Sequence, residues 1–396
     1  YPRPDTTPAR IALNHEMIRS LKHGDPFILM EQTPSVTNWQ PYNALKRPGV
    51  MALQSYQAIA HGADSVMFFQ MRRNVAGFEK FHGAIIDHSC TEHTRTFREV
   101  AALGAQLAHL GGRTLGSRTP SQVGVLFDWE NWWAVEYSSG HTSHLSYLDE
   151  VERYYTGLYS RNFSTDVVGP EGDFGKYRVI VAPMLYMLRP GLDEKLRQFV
   201  RSGGTLVVSY LSGYVDENDL ITLGGYPGKL RDILGIWVEE TDALPEGGAN
   251  HFLWNGARYA AKRLCDLLHC EGARSLAVYQ EDFYAGMPVV TENAFGQGKA
   301  YYVAAQSDPA FYADFLDTLC REQGIRPVMQ TPDGVEAAIR VGDGKAWVFL
   351  LNHTRQAQTV TADADAMEIL TDTPIRQGQT LALEPAGVLL LEKALG

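Results

Sequence analysis

The stretch PFILMEQTPS, residues 26–35, is a short apolar run that ends abruptly in polar residues. Its apolar part has the length and composition of a buried strand in a parallel sheet. Pro34 ends any further pairing, because proline has a fixed φ and no backbone N–H to donate. Glu31 therefore lies at the carboxyl end of a predicted strand, which is where α/β folds place their chemistry. A lone glutamate there is more often a solvated loop residue, so its surroundings decide the interpretation.

The same helix-and-strand unit recurs after this stretch. Periodic apolar residues predict helices at residues 9–23, 50–61 and 94–110, and a second strand is predicted at residues 64–70. Helix and strand alternate, and each strand is followed by polar residues. This order is typical of βα units in a parallel sheet, so residues 1–118 are interpreted as one domain.

The rest of the chain predicts two further domains. Residues 119–330 repeat the order strand, helix, strand, which is typical of a doubly wound, flavodoxin-like sheet. No G-x-G-x-x-G follows a strand there, so a dinucleotide site is not expected. Residues 331–396 change to short alternating segments that predict a small antiparallel β domain, and Asp343-Gly344 marks a hairpin within it.

The composition excludes several classes of function. The chain has 396 residues, a net charge of −11 and a pI near 5.6, without a basic stripe, so nucleic-acid binding is not expected. No apolar run reaches the roughly 18 residues of a membrane span. The four cysteines form neither a C-x-x-C pair nor a Cys/His cluster, so no metal site is expected in this chain. Few, scattered cysteines fit a reducing compartment, and a cytoplasmic location is the expectation.

Four side chains in the two loops after the predicted strands suggest a sugar site. Glu31 and Trp39 belong to the first loop, and Glu79 and His82 belong to the second. Consecutive strands of a parallel sheet bring such loops to the same rim. Carboxylates stabilise oxocarbenium charge and accept hydrogen bonds from hydroxyls, while an indole face stacks on a pyranose. Each residue alone is more often structural, and only the set is suggestive.

The motifs around these residues resemble the nucleophile region of the glycoside hydrolase family 42 β-galactosidases. The resemblance extends over essentially the whole chain. It is carried by FILMEQTPS at residues 27–35, NW at 38–39, KRPG at 46–49, AHGADSV at 60–66, EKFHG at 79–83 and FDWENWW at 127–133.

The resemblance implies an architecture for all three predicted domains. Residues 1–118 are expected to be the C-terminal part of a (β/α)₈ TIM barrel, holding its seventh and eighth strands. Residues 119–330 are expected to be a flavodoxin-like trimerisation domain that shares its architecture with class I glutamine amidotransferases. No cysteine stands at a strand-to-helix elbow there, so amidotransferase activity is not expected. Residues 331–396 remain a small antiparallel β domain.

The resemblance also implies a reaction and a role for each residue. The reaction is hydrolysis of terminal non-reducing β-D-galactose residues by a retaining double displacement, with Glu31 as the nucleophile. Trp39 resembles the sugar platform, and Glu79 and His82 resemble the galactose hydroxyl binders. We hypothesise that donors from Gln32 and its neighbours in the first loop, Thr33 and Asn38, keep Glu31 charged.

One catalytic group of the family has no counterpart in this sequence. The family's acid/base glutamate follows an asparagine at the end of the fourth barrel strand, and no such segment precedes Tyr1. The chain is therefore expected to be the carboxyl-terminal portion of such an enzyme and to be inactive alone. No cofactor is expected in this chain. The expected partners are β-galactoside oligosaccharides and, in the complete protein, two further copies in a homotrimer.

Two alternatives to this function stay open. In the first, the chain is a non-catalytic carbohydrate-binding or assembly module derived from such an enzyme. In the second, the enzyme acts on arabinose in place of galactose. The cluster of Trp129, Trp132 and Trp133 fits a core, a subunit interface or the wall of a neighbour's sugar pocket, and the interface is favoured.

Overall fold

The computed structural model describes residues 6–138 and 140–395, which form two compact units. The first unit comprises Tyr1–Pro120 together with Pro327–Gly396, and the second comprises Ser121–Arg326. Within the described ranges, no helix combines the length and apolar composition that crossing a membrane requires.

The first unit begins with alternating helices and strands. Its elements are α1 (Pro8–Ser20), β1 (Phe27–Gln32), α2 (Val50–Ala60), β2 (Ala63–Phe68) and α3 (Arg95–Leu110). β1 and β2 pair in parallel, so the predicted βα order is confirmed. The Thr7 side chain caps α1 by accepting from the Arg10 amide at 3.1 Å, and Thr94 caps α3 in the same way.

The second unit contains two sheets and five α-helices among its described residues. The strands are β3 (Val123–Leu126), β4 (Thr165–Val168), β5 (Val179–Ala182), β6 (Thr205–Ser209), β7 (Ile236–Ala243), β8 (Asn250–Trp254), β9 (Ala257–Cys270), β10 (Arg274–Val278), β11 (Pro288–Phe295), β12 (Gly298–Val303) and β13 (Ala305–Ser307). The helices are α4 (Trp129–Tyr137), α5 (Tyr147–Tyr159), α6 (Leu192–Arg201), α7 (Arg231–Leu234) and α8 (Pro309–Glu322).

The larger sheet of this unit is doubly wound. Its strand order is β10-β11-β12-β6-β5-β3-β4, and the five strands from β12 to β4 are parallel. This arrangement confirms the flavodoxin-like prediction. The smaller sheet has the order β13-β9-β7, with β8 paired to β9. For this smaller sheet, the sequence predicted additional strands but neither their bounds nor their order. Helix α4 was not predicted.

The C-terminal segment of the first unit is all β. Its strands are β14 (Val335–Gly342), β15 (Lys345–Asn352), β16 (Gln358–Thr361), β17 (Ala366–Glu368), β18 (Thr373–Ile375), β19 (Thr380–Leu383) and β20 (Val388–Ala394). Asp343 and Gly344 have φ values of 49° and 73° and join β14 to β15, which confirms the predicted hairpin.

The C-terminal sheet packs on the helices of its own unit. Tyr56 and Ile59 of α2 and Leu103 of α3 share a buried cluster with Trp347 and Phe349 of β15. Residues 327–396 thus form one compact unit with residues 1–120. The division into domains at residues 118 and 330 stays a prediction.

Candidate active site

Glu31 is the penultimate residue of β1, and the strand is irregular where it ends. Between Leu29 and Gln32, three steps along β1 correspond to two steps along β2. Such an irregularity re-aims side chains and is common beside active sites. Here the Gln32 side chain lies against α2 and donates to Ser55 Oγ at 2.7 Å, while Glu31 is exposed.

The three donors proposed to hold Glu31 in its charged form have other partners. The Gln32 side chain donates to the Ser55 hydroxyl of α2. The Thr33 hydroxyl lies 3.4 Å from His82 Nε2, and Asn38 Nδ2 donates to the Phe78 carbonyl at 2.5 Å. Among the residues that the structure describes, none donates a hydrogen bond to the Glu31 carboxylate. This hypothesis is therefore wrong, because adjacency in sequence does not fix the direction of a side chain at an irregular strand end.

The loop after β1 contacts the loop after β2 through Asn38 and Gly83. The 3₁₀ turn Phe78–Phe81 presents Glu79, and Asn38 Nδ2 donates to Glu79 Oε2 at 3.3 Å. The Gly83 amide donates to the Val36 carbonyl at 2.7 Å. A Cβ at Gly83 would lie 2.7 Å from the Val36 nitrogen, so this close approach requires glycine. The two loops therefore share one rim, as the sequence predicted.

His82 is buried beneath this rim with both ring nitrogens in contact with protein atoms. Nδ1 lies 2.9 Å from the Gly83 carbonyl oxygen, which only accepts, so Nδ1 carries a hydrogen. In the neutral ring Nε2 is then the acceptor for the Thr33 hydroxyl. The edge of the ring packs against Phe69, with the ring centroids 5.0 Å apart. Burial and packing fix the orientation of the imidazole.

Trp39 is 70% exposed on the loop after β1. Within the described ranges, its indole has neither a stacking partner nor a hydrogen bond. Glu79 is half-buried beside Asn38. The structure thus brings Glu79 and His82 together with the first loop, and it leaves Glu31 and Trp39 exposed without a direct contact to them.

Lys46 supports this loop, although in the sequence it stands out only as part of the KRPG motif at residues 46–49. It is 8% exposed, and its Nζ donates to the Thr33 carbonyl at 2.6 Å. Its backbone N–H donates to Ser35, and Arg95 of α3 donates to its carbonyl at 3.0 Å. Burial lowers the pKa of Lys46 to about 7. Lys46 therefore ties the segment just beyond Glu31 to α3.

The end of β1 and the loop after it carry an exposed carboxylate and an exposed indole, and the adjoining loop carries a second carboxylate and an imidazole. In the part of the chain that the structure covers, no group of three or more histidine, cysteine or acidic side chains is placed to hold a metal ion. Such a rim suits binding of a polyhydroxylated ligand, because carboxylates accept from hydroxyls and indole stacks on a sugar face.

Three family profiles match the chain in sequence order. A β-galactosidase profile matches residues 1–110, a β-galactosidase trimerisation domain profile matches residues 121–326, and a β-galactosidase C-terminal domain profile matches residues 334–393.

Curated relatives match over nearly the whole chain. β-Galactosidase BgaP of Planococcus sp. (strain L4) is 48% identical over 399 residues, which cover 99% of this chain and 59% of the relative. β-Galactosidase BgaB of Geobacillus sp. (strain Y412MC61) is 44% identical, with the same coverage of both chains. The chain thus spans 59% of the length of these relatives.

Solved structures give the same result. The β-galactosidase from Bacillus circulans sp. alkalophilus is 48% identical and superimposes with a TM-score of 0.97, covering 100% of this chain and 59% of that one. The cold-adapted β-galactosidase from Rahnella sp. R3 is 40% identical, with a TM-score of 0.94 and the same coverage. The predicted fold class is confirmed: the C-terminal part of a (β/α)₈ barrel, a flavodoxin-like domain and a small antiparallel β domain.

Proposed function

Because this chain belongs to the glycoside hydrolase family 42 β-galactosidases, we propose that the protein containing it hydrolyses terminal non-reducing β-D-galactose residues with retention of configuration. The observation that carries the proposal is the position of Glu31. It is an exposed carboxylate at the irregular end of β1, just before the loop that contacts the loop bearing Glu79 and His82.

The proposed nucleophile is Glu31. Its carboxylate attacks the anomeric carbon and forms a covalent galactosyl-enzyme, while a second carboxyl protonates the departing glycosidic oxygen. The same carboxyl then takes a proton from water, which hydrolyses the intermediate and restores the original configuration. Exposure suits this role, because an ionised carboxylate is well solvated before the sugar binds.

The second carboxyl is assigned to the portion of the relatives that this chain does not match. A retaining mechanism needs its two carboxyl groups about 5 Å apart. Glu79 is the other carboxyl on the rim, and its Oε2 accepts a hydrogen bond from Asn38 at 3.3 Å. We assign Glu79 to hydroxyl binding, in line with the resemblance of its loop to the family's sugar-binding loop. The 396 residues by themselves are expected to bind sugar weakly and to hydrolyse none.

The sugar-binding residues are proposed to be Trp39, Glu79 and His82. The exposed indole of Trp39 offers a face for the pyranose, and Glu79 accepts from its hydroxyls. The contact between Thr33 and His82 Nε2 is long at 3.4 Å, so a sugar hydroxyl is able to compete for that nitrogen. Galactose is proposed over arabinose because the relatives are named β-galactosidases.

The proposal extends to the oligomeric state of the complete protein and to its cellular compartment. A trimerisation domain profile covers residues 121–326, and we propose that the complete protein is a homotrimer. A cytoplasmic location is also proposed. It is supported by four cysteines that are all unpaired in the structure, as expected in a reducing compartment.

The test replaces the nucleophile in the complete protein. Glu31→Gly is expected to lower kcat by at least ~10³-fold, because the covalent step loses its nucleophile. Added azide then restores turnover and yields a galactosyl azide of inverted configuration, since azide attacks from the side that Glu31 occupied. Glu79→Gln is the matched control: it weakens substrate binding, and azide does not restore it. Unchanged turnover in Glu31→Gly contradicts the assignment, and galactoside binding without turnover by the unsubstituted protein favours a non-catalytic module.

A further inference from the structure

Helix α4 of the second unit carries three exposed aromatic side chains in one row. Trp129, Trp133 and Tyr137 are four residues apart, so they lie on one face of the helix. They are 45%, 52% and 89% exposed. We call this row the aromatic stripe.

The opposite face of α4 fixes the helix to its unit. Asn131, which is fully buried, donates from Nδ2 to the Met184 carbonyl at 3.0 Å and accepts from the Met187 amide at 2.8 Å. Ala134 and Val135 are buried on the same side. These buried contacts fix the rotation of α4 about its axis, so the aromatic stripe necessarily faces outward.

The start of the stripe is rigid as well. Asp128 caps α4 by accepting from the Glu130 amide at 3.1 Å. The Trp129 ring packs edge-on against Phe127, with centroids 5.1 Å apart, and lies 5.4 Å from the Trp132 ring. Rings that are already held in place lose little conformational freedom when another surface covers them.

The two acidic side chains of α4 have partners within the unit. Glu130 lies 3.4 Å from Arg189, and Glu136 accepts from Trp132 Nε1 at 2.5 Å. The chain as a whole carries a net charge of −11, so two copies repel each other unless they meet at surfaces without free negative charge. The uncharged rings of the stripe provide such a surface.

We propose that a second copy of this chain covers the aromatic stripe in the assembled protein. The inference rests on the homotrimer proposed above, because the trimerisation domain profile spans residues 121–326 and so includes α4. Exposed clusters of large apolar side chains mark association surfaces, and tryptophan and tyrosine are enriched among the residues that dominate binding. Each buries on the order of 150–250 Å². The stripe thus forms the centre of a contact that, at about 800 Å² per partner, also needs polar surroundings.

The test measures the association of the complete protein by sedimentation velocity over a range of concentrations. The double variant Trp133→Ala with Tyr137→Ala is expected to weaken association at least ~10-fold. Tyr137→Asp is expected to do the same by placing a charge within the contact, and it leaves the core intact because Tyr137 is 89% exposed. Phe283→Ala, at a residue 78% exposed elsewhere in the unit, is the control and is expected to leave association unchanged.

Two results would overturn the proposal. If folded variants, with the circular dichroism of the unsubstituted protein, assemble as trimers at the same concentrations, a second copy does not cover the stripe, although the homotrimer itself stands. If the unsubstituted protein is a monomer throughout, the homotrimer fails and the inference fails with it. Galactosidase turnover, measured in the same samples, reports separately on the proposed reaction.

Discussion

His61 Nε2 lies 2.5 Å from Glu336 Oε1, and this contact joins the end of α2 to the first strand of the C-terminal sheet. The other ring nitrogen, Nδ1, lies 2.5 Å from Glu16 Oε1 on α1. A carboxylate only accepts, so the ring must supply a hydrogen on each side and is an imidazolium. All three side chains are buried.

The charged side chains of this cluster stabilise one another's ionised forms against the effect of burial. Burial lowers the pKa of His61, but the adjacent carboxylates of Glu16 and Glu336 more than reverse this effect and raise it to about 10. Burial acts to raise the pKa of Glu336, yet His61 and hydrogen bonds from His353 hold it well below its usual range. Arg19 pairs with the other oxygen of Glu16. The cluster thus fastens the C-terminal sheet to the barrel helices only while His61 is charged.

The first prediction concerns stability between pH 6.5 and 10. The folded state keeps the His61 proton up to a pKa of about 10, whereas the unfolded chain loses it near 6.5, so folding binds a proton in this window. His61 therefore contributes stability that is complete below pH 6.5 and is lost as the pH rises through 10. Thermal unfolding of the complete protein measures this loss of stability. The melting temperature of His61→Gln is expected to fall less between these pH values than that of the unsubstituted protein.

Lys46 makes stability change with pH in the opposite direction, but this effect cancels when His61→Gln is compared with the unsubstituted protein. Its pKa is lowered by burial to about 7, so it favours the folded state increasingly as the pH rises from 7 towards 10.5. Both proteins contain Lys46, and their difference isolates His61. Equal pH slopes in the two proteins would show that His61 is not charged in the folded state.

The second prediction concerns Arg340, which is fully buried on β14. Its guanidinium donates to Asp64 Oδ1 at 2.7 Å and to the carbonyls of Ile59, Ala63 and Ser117. Arg340→Met removes the donor of all four contacts, including the charged partner of Asp64, and is expected to cost about 3–5 kcal/mol of unfolding free energy.

An exposed arginine of the same sheet region is the control for Arg340. Arg376 pairs with Asp365 with its side chain 80% exposed, so Arg376→Met is expected to leave the unfolding free energy almost unchanged. Urea unfolding of the complete protein measures both. Similar costs for the two variants would mean that burial of the Arg340 network does not determine its strength.

The third prediction compares two glycines. Gly62 has a φ of +112°, and a Cβ there would lie 2.6 Å from Arg19 Cδ, so Gly62→Ala is expected to destabilise by about 1–3 kcal/mol. Gly104 lies on the exposed side of α3, and a methyl group added there would meet nothing within 4 Å. Gly104→Ala is expected to stabilise by about 0.5–1 kcal/mol. Effects of the same sign would contradict the backbone argument.

The fourth prediction concerns the contact between Asn38 and Glu79. Asn38→Ala removes a donor from Glu79 and is expected to raise KM for a galactoside more than it lowers kcat, because Glu79 binds hydroxyls. Asn38→Asp places a second carboxylate beside Glu79 and is expected to raise KM further. Steady-state kinetics of the complete protein give both parameters. An effect confined to kcat, or a milder effect of aspartate than of alanine, would contradict the role of Glu79.

Sequence patterns predicted the local structure well where one element decided it. The apolar period of α2 and the turn residues Asp343 and Gly344 specify their own conformation, so the helix and the hairpin appeared as predicted. The position of Glu31 at a strand end followed from the same reasoning.

Contacts between distant parts of the chain were beyond such reasoning. Nothing near His61 in the sequence indicates Glu336, which is 275 residues away. Helix α4 was not predicted because Trp129 and Trp133 occupy its exposed face and leave a weak apolar pattern on the buried one. The direction of Gln32 depended on an irregularity of β1 that only the pairing with β2 reveals.

Trapping the covalent intermediate tests most directly whether Glu31 forms it. A 2-deoxy-2-fluoro-β-galactosyl fluoride reacts through the first displacement, but its fluorine slows hydrolysis, so the adduct accumulates. After protease digestion of the inactivated complete protein, mass spectrometry is predicted to find one fluorogalactosyl group on the peptide that contains Glu31, and none on the same peptide of Glu31→Gln. A stable adduct on Glu79 or on another residue, with the Glu31 peptide unmodified, would contradict the account.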